Sequence, residues 1–489
     1  MLKVIKEIID NSDKANVKFC HWKSNNILEE TVNGFGDVDL LVEKKCRADF
    51  EKVIFDLGFL PTKEPFYNES DEILHYYGID KDSGKIVHLH VYYELITGGS
   101  ILKNYNIPTN IIFENLKETS SFKIPLPEVE LVLLVLRKYI EHISIVELRL
   151  LWYDYKNINK ELNWLLERSD WSVVERLLNS YFPEFTLEHF QELTKRLVDN
   201  EPLTVRIKKG LAVYKHLNKY RIKNSLYIEA LRFIFFALMI IKGRVFKGRS
   251  FRKISKNGMI VSFVGTEASG KTTLSNGLEK WVKSDFSYVR VHCGKPPATI
   301  FTSLFRRALP SLVKIKGLLN SFKKVDEKKD QEIKLKKLKE NKPHPLICMS
   351  DAIDRYFLTK KLMKYKNKGF IVLTDRFPNK EVGMIDGPRI DAKAGLGKFL
   401  GKVESHFYNK IGTPNLIIKV SAPLDETLVR NSKRDNPEPE EFVRSRYELF
   451  QKIQFPQDVK ILEVDTTNTV DDCMIKIKET FWDKAVELN

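Results

Sequence analysis

Acidic residues are missing from one long stretch of this chain. Between Ala230 and Thr266 there is no aspartate or glutamate, while Arg232, Lys242, Arg244, Lys247, Arg249, Arg252, Lys253 and Lys256 all fall inside it. A basic, partly apolar segment of that kind suits peripheral contact with an anionic membrane; a buried helix followed by a solvated linker is the plainer reading. The apolar run within it, "FIFFALMII" at 233–241, is too short to span a bilayer. Cysteine is also scarce: Cys20, Cys46, Cys293, Cys348 and Cys473 are odd in number and form no C-x-x-C pair. That argues against a disulfide framework or a zinc knuckle and points to a reducing compartment. The N-terminal "MLKVIKEIIDNSDK" lacks the apolar core of a signal peptide, so a cytoplasmic protein is expected, with the inner face of the membrane as the site of any lipid contact. The net charge of +16 favours anionic partners, but nothing in the chain points to specific reading of nucleic acid. An oligomer is compatible with this composition.

What is present is a chain of 489 residues, 43% hydrophobic and 30% charged, long enough for two or three domains. Just past its middle stands "GTEASGKTT", residues 265–273, directly after the apolar "MIVSFV". The pattern G-x-x-x-x-G-K-[ST] lets a backbone approach a polyphosphate closely, with Gly265, Ser269, Gly270, Lys271, Thr272 and Thr273 cradling ATP at a helix N-terminus. Lys271 would reach the β- and γ-oxygens, and the Thr272 hydroxyl would ligate Mg²⁺. Strands at 259–264, 288–292, 370–374, 416–420 and 460–464 alternate with helical stretches, which predicts a doubly wound, three-layer α/β/α parallel sheet. Asp375 and Arg376 end the third of these, where the carboxylate would reach metal and the guanidinium an acceptor phosphate. Arg430 and Arg434, four residues apart, are expected on one helical face closing over the site. Asp386 and Arg389, in "GMIDGPRIDAKAGLGKF", suit either an acceptor loop or a structural turn. An insertion at 299–342 ends in a lysine-rich run that reads as a solvated helix.

These stretches carry a resemblance. The glycine loop, "FIVLTDRF" and "PNLIIKVSAPLDETLVRNSKRD", in that order, resemble the thymidylate kinase family of nucleoside-monophosphate kinases, from Met259 to the C-terminus. The resemblance implies ATP and Mg²⁺ as cofactors, Glu267 as the loop carboxylate near the acceptor, Asp375 and Arg376 as the Asp-Arg pair, and Arg430 and Arg434 as lid arginines. "SDAIDRYFLTKKL" is similar to the helix that faces the thymine base, which makes Arg355 an acceptor contact. Two departures stand out: Asp351 occupies the place of a stacking aromatic, and "FPNKEVGMIDGPRI" replaces the family's usual continuation after the Asp-Arg pair.

In the N-terminal part, "GFGDVDLLV" puts Asp37 and Asp39 on one face of a strand, a spacing that can hold two Mg²⁺ ions over a nucleoside triphosphate. With "FCHWKSNN" upstream, it resembles the nucleotidyltransferase superfamily. Lys23 and Ser24 then stand where a Gly-Ser pair is usual, and His88 and His90 stand where a third acid is usual, with His90 able to contact substrate or metal. The expected layout is an α+β nucleotidyltransferase-like domain at 1–122, a helical bundle at 123–242, a basic linker at 243–257 and the P-loop domain at 258–489. Chains of this design resemble proteins of bacterial surface-polysaccharide gene clusters, which makes a nucleotide, small molecule, sugar or glycan the expected acceptor. Three activities stay open on sequence: a phosphotransferase with a second nucleotidyltransferase module, a nucleotidyltransferase with the P-loop domain as an ATP-binding switch, and a nucleotide-binding assembly factor at a membrane surface.

Overall fold

The computed structural model describes residues 1–63, 70–99, 102–141, 158–199, 202–246, 252–294, 296–299, 302–304, 306–307, 344–391 and 394–489. Most of the expected insertion, part of the helical bundle and residues 247–251 of the basic segment lie outside them. The chain divides into two compact units, Met1–Ser255 and Lys256–Asn489. All five cysteines are buried and none forms a disulfide.

The second unit is built on a five-stranded sheet in which every pairing is parallel. Its order is Tyr288–His292, Ile371–Asp375, Met259–Gly265, Leu416–Ser421, Lys460–Asp465. The expected strands fall on these within a residue at each end. The central Met259–Gly265 has neighbours on both edges, and its "MIVSFV" is buried at every position, as a strand covered on both faces requires. The edge strand Lys460–Asp465 instead alternates, with Leu462 and Val464 buried between exposed neighbours. Helix Lys271–Lys283 buries Leu274, Leu278 and Val282 at helical spacing. It lies so close to helix Val470–Glu487 that a Cβ on Gly277 would come within 2.9 Å of the Met474 sulfur.

The first unit carries a mixed six-stranded sheet in the order Phe19–His21, Val38–Val42, Lys85–Tyr92, Ile73–Asp80, Leu60–Lys63, Lys253–Ile254. Only the pairing of Val38–Val42 with Lys85–Tyr92 is parallel. Lys253–Ile254, inside the stretch read as a linker, adds the outermost strand by pairing with Leu60–Lys63. Helices Pro127–Glu141, Trp171–Tyr181, Leu187–Val198 and Leu203–His216 share one apolar core with Cys20, Trp22, Leu41 and Tyr92. The helical region and the sheet therefore bury each other's apolar faces.

Candidate active site

The central strand of the second unit delivers the glycine loop at its carboxyl end. Two loop residues take left-handed backbone, Ala268 at φ 55° and Gly270 at φ 87°, immediately before the helix that starts at Lys271. Turns of that kind aim successive N–H groups into one concavity. A Cβ on Gly265 would stand 2.4 Å from the Val420 carbonyl, so only glycine fits against the neighbouring strand. The Ser269 hydroxyl donates to the Thr266 carbonyl at 2.9 Å and braces the loop, while Thr272 and Thr273 are exposed on the first helical turn.

Lys271 folds back into this loop. Its Nζ donates to the Gly265 carbonyl at 2.8 Å and to the Thr266 carbonyl, with the Glu267 carboxylate 3.9 Å away. Burial pushes its pKa down to about 8; Glu267 opposes the shift, and Arg376, Arg434 and Arg446 add to it. Glu267 in turn faces Arg376 at 3.2 Å and Arg446 at 3.5 Å. One carboxylate thus stands among three cationic side chains, and the loop keeps a surplus of positive charge.

Asp375 pairs in register with Phe263 of the central strand, and Arg376 follows at φ 66° with its N–H on the Phe263 carbonyl at 2.9 Å. The Asp375 carboxylate is met by Arg290 from the outer strand at 3.1 Å, and Arg290 also holds Glu279 and the Ser275 hydroxyl. Arg430 donates to the Thr466 hydroxyl at 2.8 Å and to its carbonyl at 2.9 Å, and the Thr466 hydroxyl donates to the Ser269 carbonyl at 3.2 Å. The expectation that Arg430 and Arg434 share a helical face is corrected: helix Leu424–Ser432 ends first, and Arg434 lies in the following turn. Both arginines nonetheless line one cavity of about 340 Å³ with residues of the glycine loop and Thr466.

On the other side of Arg376 lies a second constellation. Arg355, buried on helix Pro345–Lys366, donates to the Gly294 carbonyl at 2.9 Å, to the Asp386 carbonyl at 3.2 Å and to the Tyr408 hydroxyl. Asp386, at φ 60°, places its carboxylate 3.8 Å from Arg355 and 3.7 Å from Arg376. Arg389 pairs with Asp351, which Arg306 also reaches at 2.8 Å. Asp351 is therefore the centre of an ion cluster. A cavity of about 320 Å³ opens beside Arg376 and Asp386 and runs between Ile385, Ile417, Phe450 and Ile453.

The first unit assembles its candidate residues differently. Asp39 and His90 are paired across parallel strands, and His75 is paired with His90 across the next, so all three lie in one row of the sheet. His90 Nδ1 and Lys23 Nζ sit 3.0 and 2.9 Å from the Asp39 carboxylate. His88 Nδ1 bonds Asp37 at 2.7 Å, and its Nε2 bonds His75 at 2.9 Å. Burial alone would raise both carboxyl pKa values; Lys23 and His90 at Asp39, and His88 at Asp37, outweigh it and hold both below the usual carboxylate range. Ser24, at φ 56°, leads into the short helix that carries Asn25. Asn25 binds Glu130 through its backbone N–H and its side-chain amide, and burial raises Glu130 to about 7. Among the described residues, no group of three or more His, Cys, Asp or Glu is arranged to hold a metal ion. A cation at Asp37 and Asp39 would have to compete with Lys23 and the histidines already there.

Sequence reasoning missed Arg290, Arg446 and Thr466 in the second unit and His75 and Glu130 in the first. His75 alone had a usable signal, since "ILHYYGID" is a strand in which it shares a face with Tyr77. No family model matches the chain, and no curated protein matches it.

Proposed function

We propose that the second unit is a phosphotransferase that moves the γ-phosphoryl group of ATP to a nucleoside monophosphate or to a sugar or glycan. The observation that carries this reading is the charge imbalance at the glycine loop, where Lys271, Arg376 and Arg446 gather around Glu267 and Arg434 adds its charge near Lys271. A partly buried cationic surplus at a helix N-terminus is stabilised by the polyphosphate that neutralises it. Lys271 would leave its two loop carbonyls for the β- and γ-oxygens. Arg430 and Arg434 border the cavity on the ATP side; Arg376, Arg355 and Asp386 border the acceptor side. Held by Thr272 and Asp375, Mg²⁺ would neutralise charge on the transferred group, and Asp375 would exchange Arg290 for it. The acceptor oxygen then attacks the γ-phosphorus and ADP leaves, with catalysis resting on position and charge. The all-parallel five-stranded sheet, with the glycine loop at the end of its central strand, supports this reading, as does the resemblance to thymidylate kinases. The ion cluster at Asp351 argues for an acceptor other than thymidylate.

The first unit supports a second reading, nucleotidyl transfer at Asp37 and Asp39, because Asp39 stands beside Lys23 and His90 while Asp37, just before the strand, bonds His88. In this reading the glycine loop serves as an ATP-binding switch. The test is ATP turnover with Mg²⁺ across nucleoside monophosphates, free sugars and lipid-linked glycans, with products identified by mass spectrometry. Product lost in Lys271→Ala and retained in Asp37→Ala/Asp39→Ala supports the kinase. A nucleotidyl adduct lost only in the aspartate variant transfers the output to the first unit.

A further inference from the structure

Helix Ser225–Phe246 has its polarity inverted relative to an ordinary surface helix. The side it turns to the first unit carries Ile228 and the charged Arg232, which is 4% exposed and bonded to the Leu102 carbonyl at 2.7 Å and to Glu229. The outer side is apolar: Leu226, Tyr227, Phe233, Ile234, Leu238 and Ile241 are all exposed, Leu226 at 83%, Phe233 at 64% and Ile241 at 58%. At 3.6 residues per turn these six fall within an arc of roughly 140°, a continuous stripe rather than scattered single residues. Water is a poor solvent for such a face.

We infer that this helix docks the protein in the plane of an anionic lipid bilayer, with the Leu226–Ile241 stripe among the acyl chains. Charge selects this occupant over a second protein surface. Lys242 and Arg244 follow the stripe, and no acidic residue occurs from Ala230 to Thr266, so the chain leaving the helix is repelled by no anionic headgroup and attracted by all of them. Among the described residues no helix is long and apolar enough to cross a membrane, which fits a helix lying in the interface. The inference goes beyond the proposed kinase and stands whatever the second unit catalyses.

The experiment is flotation of the full-length protein with vesicles of phosphatidylcholine alone or mixed with phosphatidylglycerol. Wild type is expected to float with the mixed vesicles, to float less with the neutral ones, and to be released as salt rises. Phe233→Gln/Ile234→Gln/Ile241→Gln should bind about tenfold or more weakly while melting at the wild-type temperature, because the replaced side chains already face solvent. Leu238→Trp, which adds area to the same face, should bind more tightly. Wild type that floats with neither vesicle, or a triple variant that floats like wild type, overturns the inference. A wild-type dimer that the triple variant converts to monomer, with no flotation of either, overturns it too and assigns the stripe to a second copy of the chain.

Discussion

The two units solve opposite electrostatic problems with similar residues. In the first, both aspartates already have partners: Lys23 and His90 sit on Asp39, and His88, whose pKa burial lowers, hydrogen-bonds Asp37. In the second, the cations outnumber their partners: Lys271, Arg376 and Arg446 surround Glu267, and Asp386 reaches only Arg376 among them. A cluster whose carboxylates already have partners contributes to the fold without a ligand, whereas an unbalanced one in a partly buried loop costs stability until an anion arrives. The comparison therefore locates the stronger ligand demand at the glycine loop.

The largest effect that would sharpen this contrast is on turnover. Arg376 faces Glu267 and Asp386 and lines the cavity of about 320 Å³, so Arg376→Ala should lower kcat/KM for phosphoryl transfer by about 10²- to 10³-fold with the unit still folded. Steady-state kinetics on the acceptor identified by the panel would measure it. A loss under about threefold would remove Arg376 from the transfer step and leave it as a brace for Glu267.

Next in size is a stability effect confined to the other unit. Removing the Asp39 carboxylate leaves Lys23 and His90 facing each other in a buried row, so Asp39→Ala should destabilise the first unit by about 3 kcal/mol. Hydrogen exchange of the Val38–Val42 strand reads this locally, and ATP turnover in the second unit should be unchanged. The double variant Lys23→Ala/Asp39→Ala should recover part of the loss, because the stranded charge goes with its partner. Equal protection of that strand in wild type and Asp39→Ala would mean that the cluster is not a structural ion pair, and the contrast between the units would fail.

How much of this was readable beforehand divides along the same physical line. The three inner parallel strands were legible as apolar runs bounded by turn residues, and the two edge strands as short stretches that mix apolar with charged residues; the two-residue repeat put Asp37 and Asp39 on one strand, whereas the strand begins at Val38 and Asp37 stands just before it. The partners of those residues were not legible. Arg290 reaches Asp375 only because the Tyr288–His292 strand lies beside Ile371–Asp375 in the sheet, although 85 positions separate the two residues. Thr466 meets Arg430 and Ser269 because the edge strand ends level with the glycine loop. Arg434 failed for a local reason: the chain leaves the helix at Ser432, with Asn431 bonded to Glu438, so a four-residue spacing ceased to mean one face. Spacing rules hold inside an element and lapse at its end.

The smallest predicted effect probes the charge imbalance itself. Lys271 is held down to about 8 by burial and by the neighbouring arginines. Below that pH it is protonated and attracts the phosphates; as pH rises through about 8 it becomes neutral and the attraction is lost. ATP affinity of the ligand-free protein should therefore be flat at lower pH and weaken by up to about tenfold per pH unit above 8, where the phosphates of ATP undergo no further ionisation. Lys271→Arg, whose guanidinium stays charged throughout, should bind ATP more weakly at neutral pH because it lacks the ammonium's compact fit, yet with no such decline. Isothermal titration across that range would show both curves. An affinity for wild type that stays level to about pH 10 would mean that Lys271 titrates normally, and that the arginines around Glu267 are balanced by the protein rather than awaiting an anion.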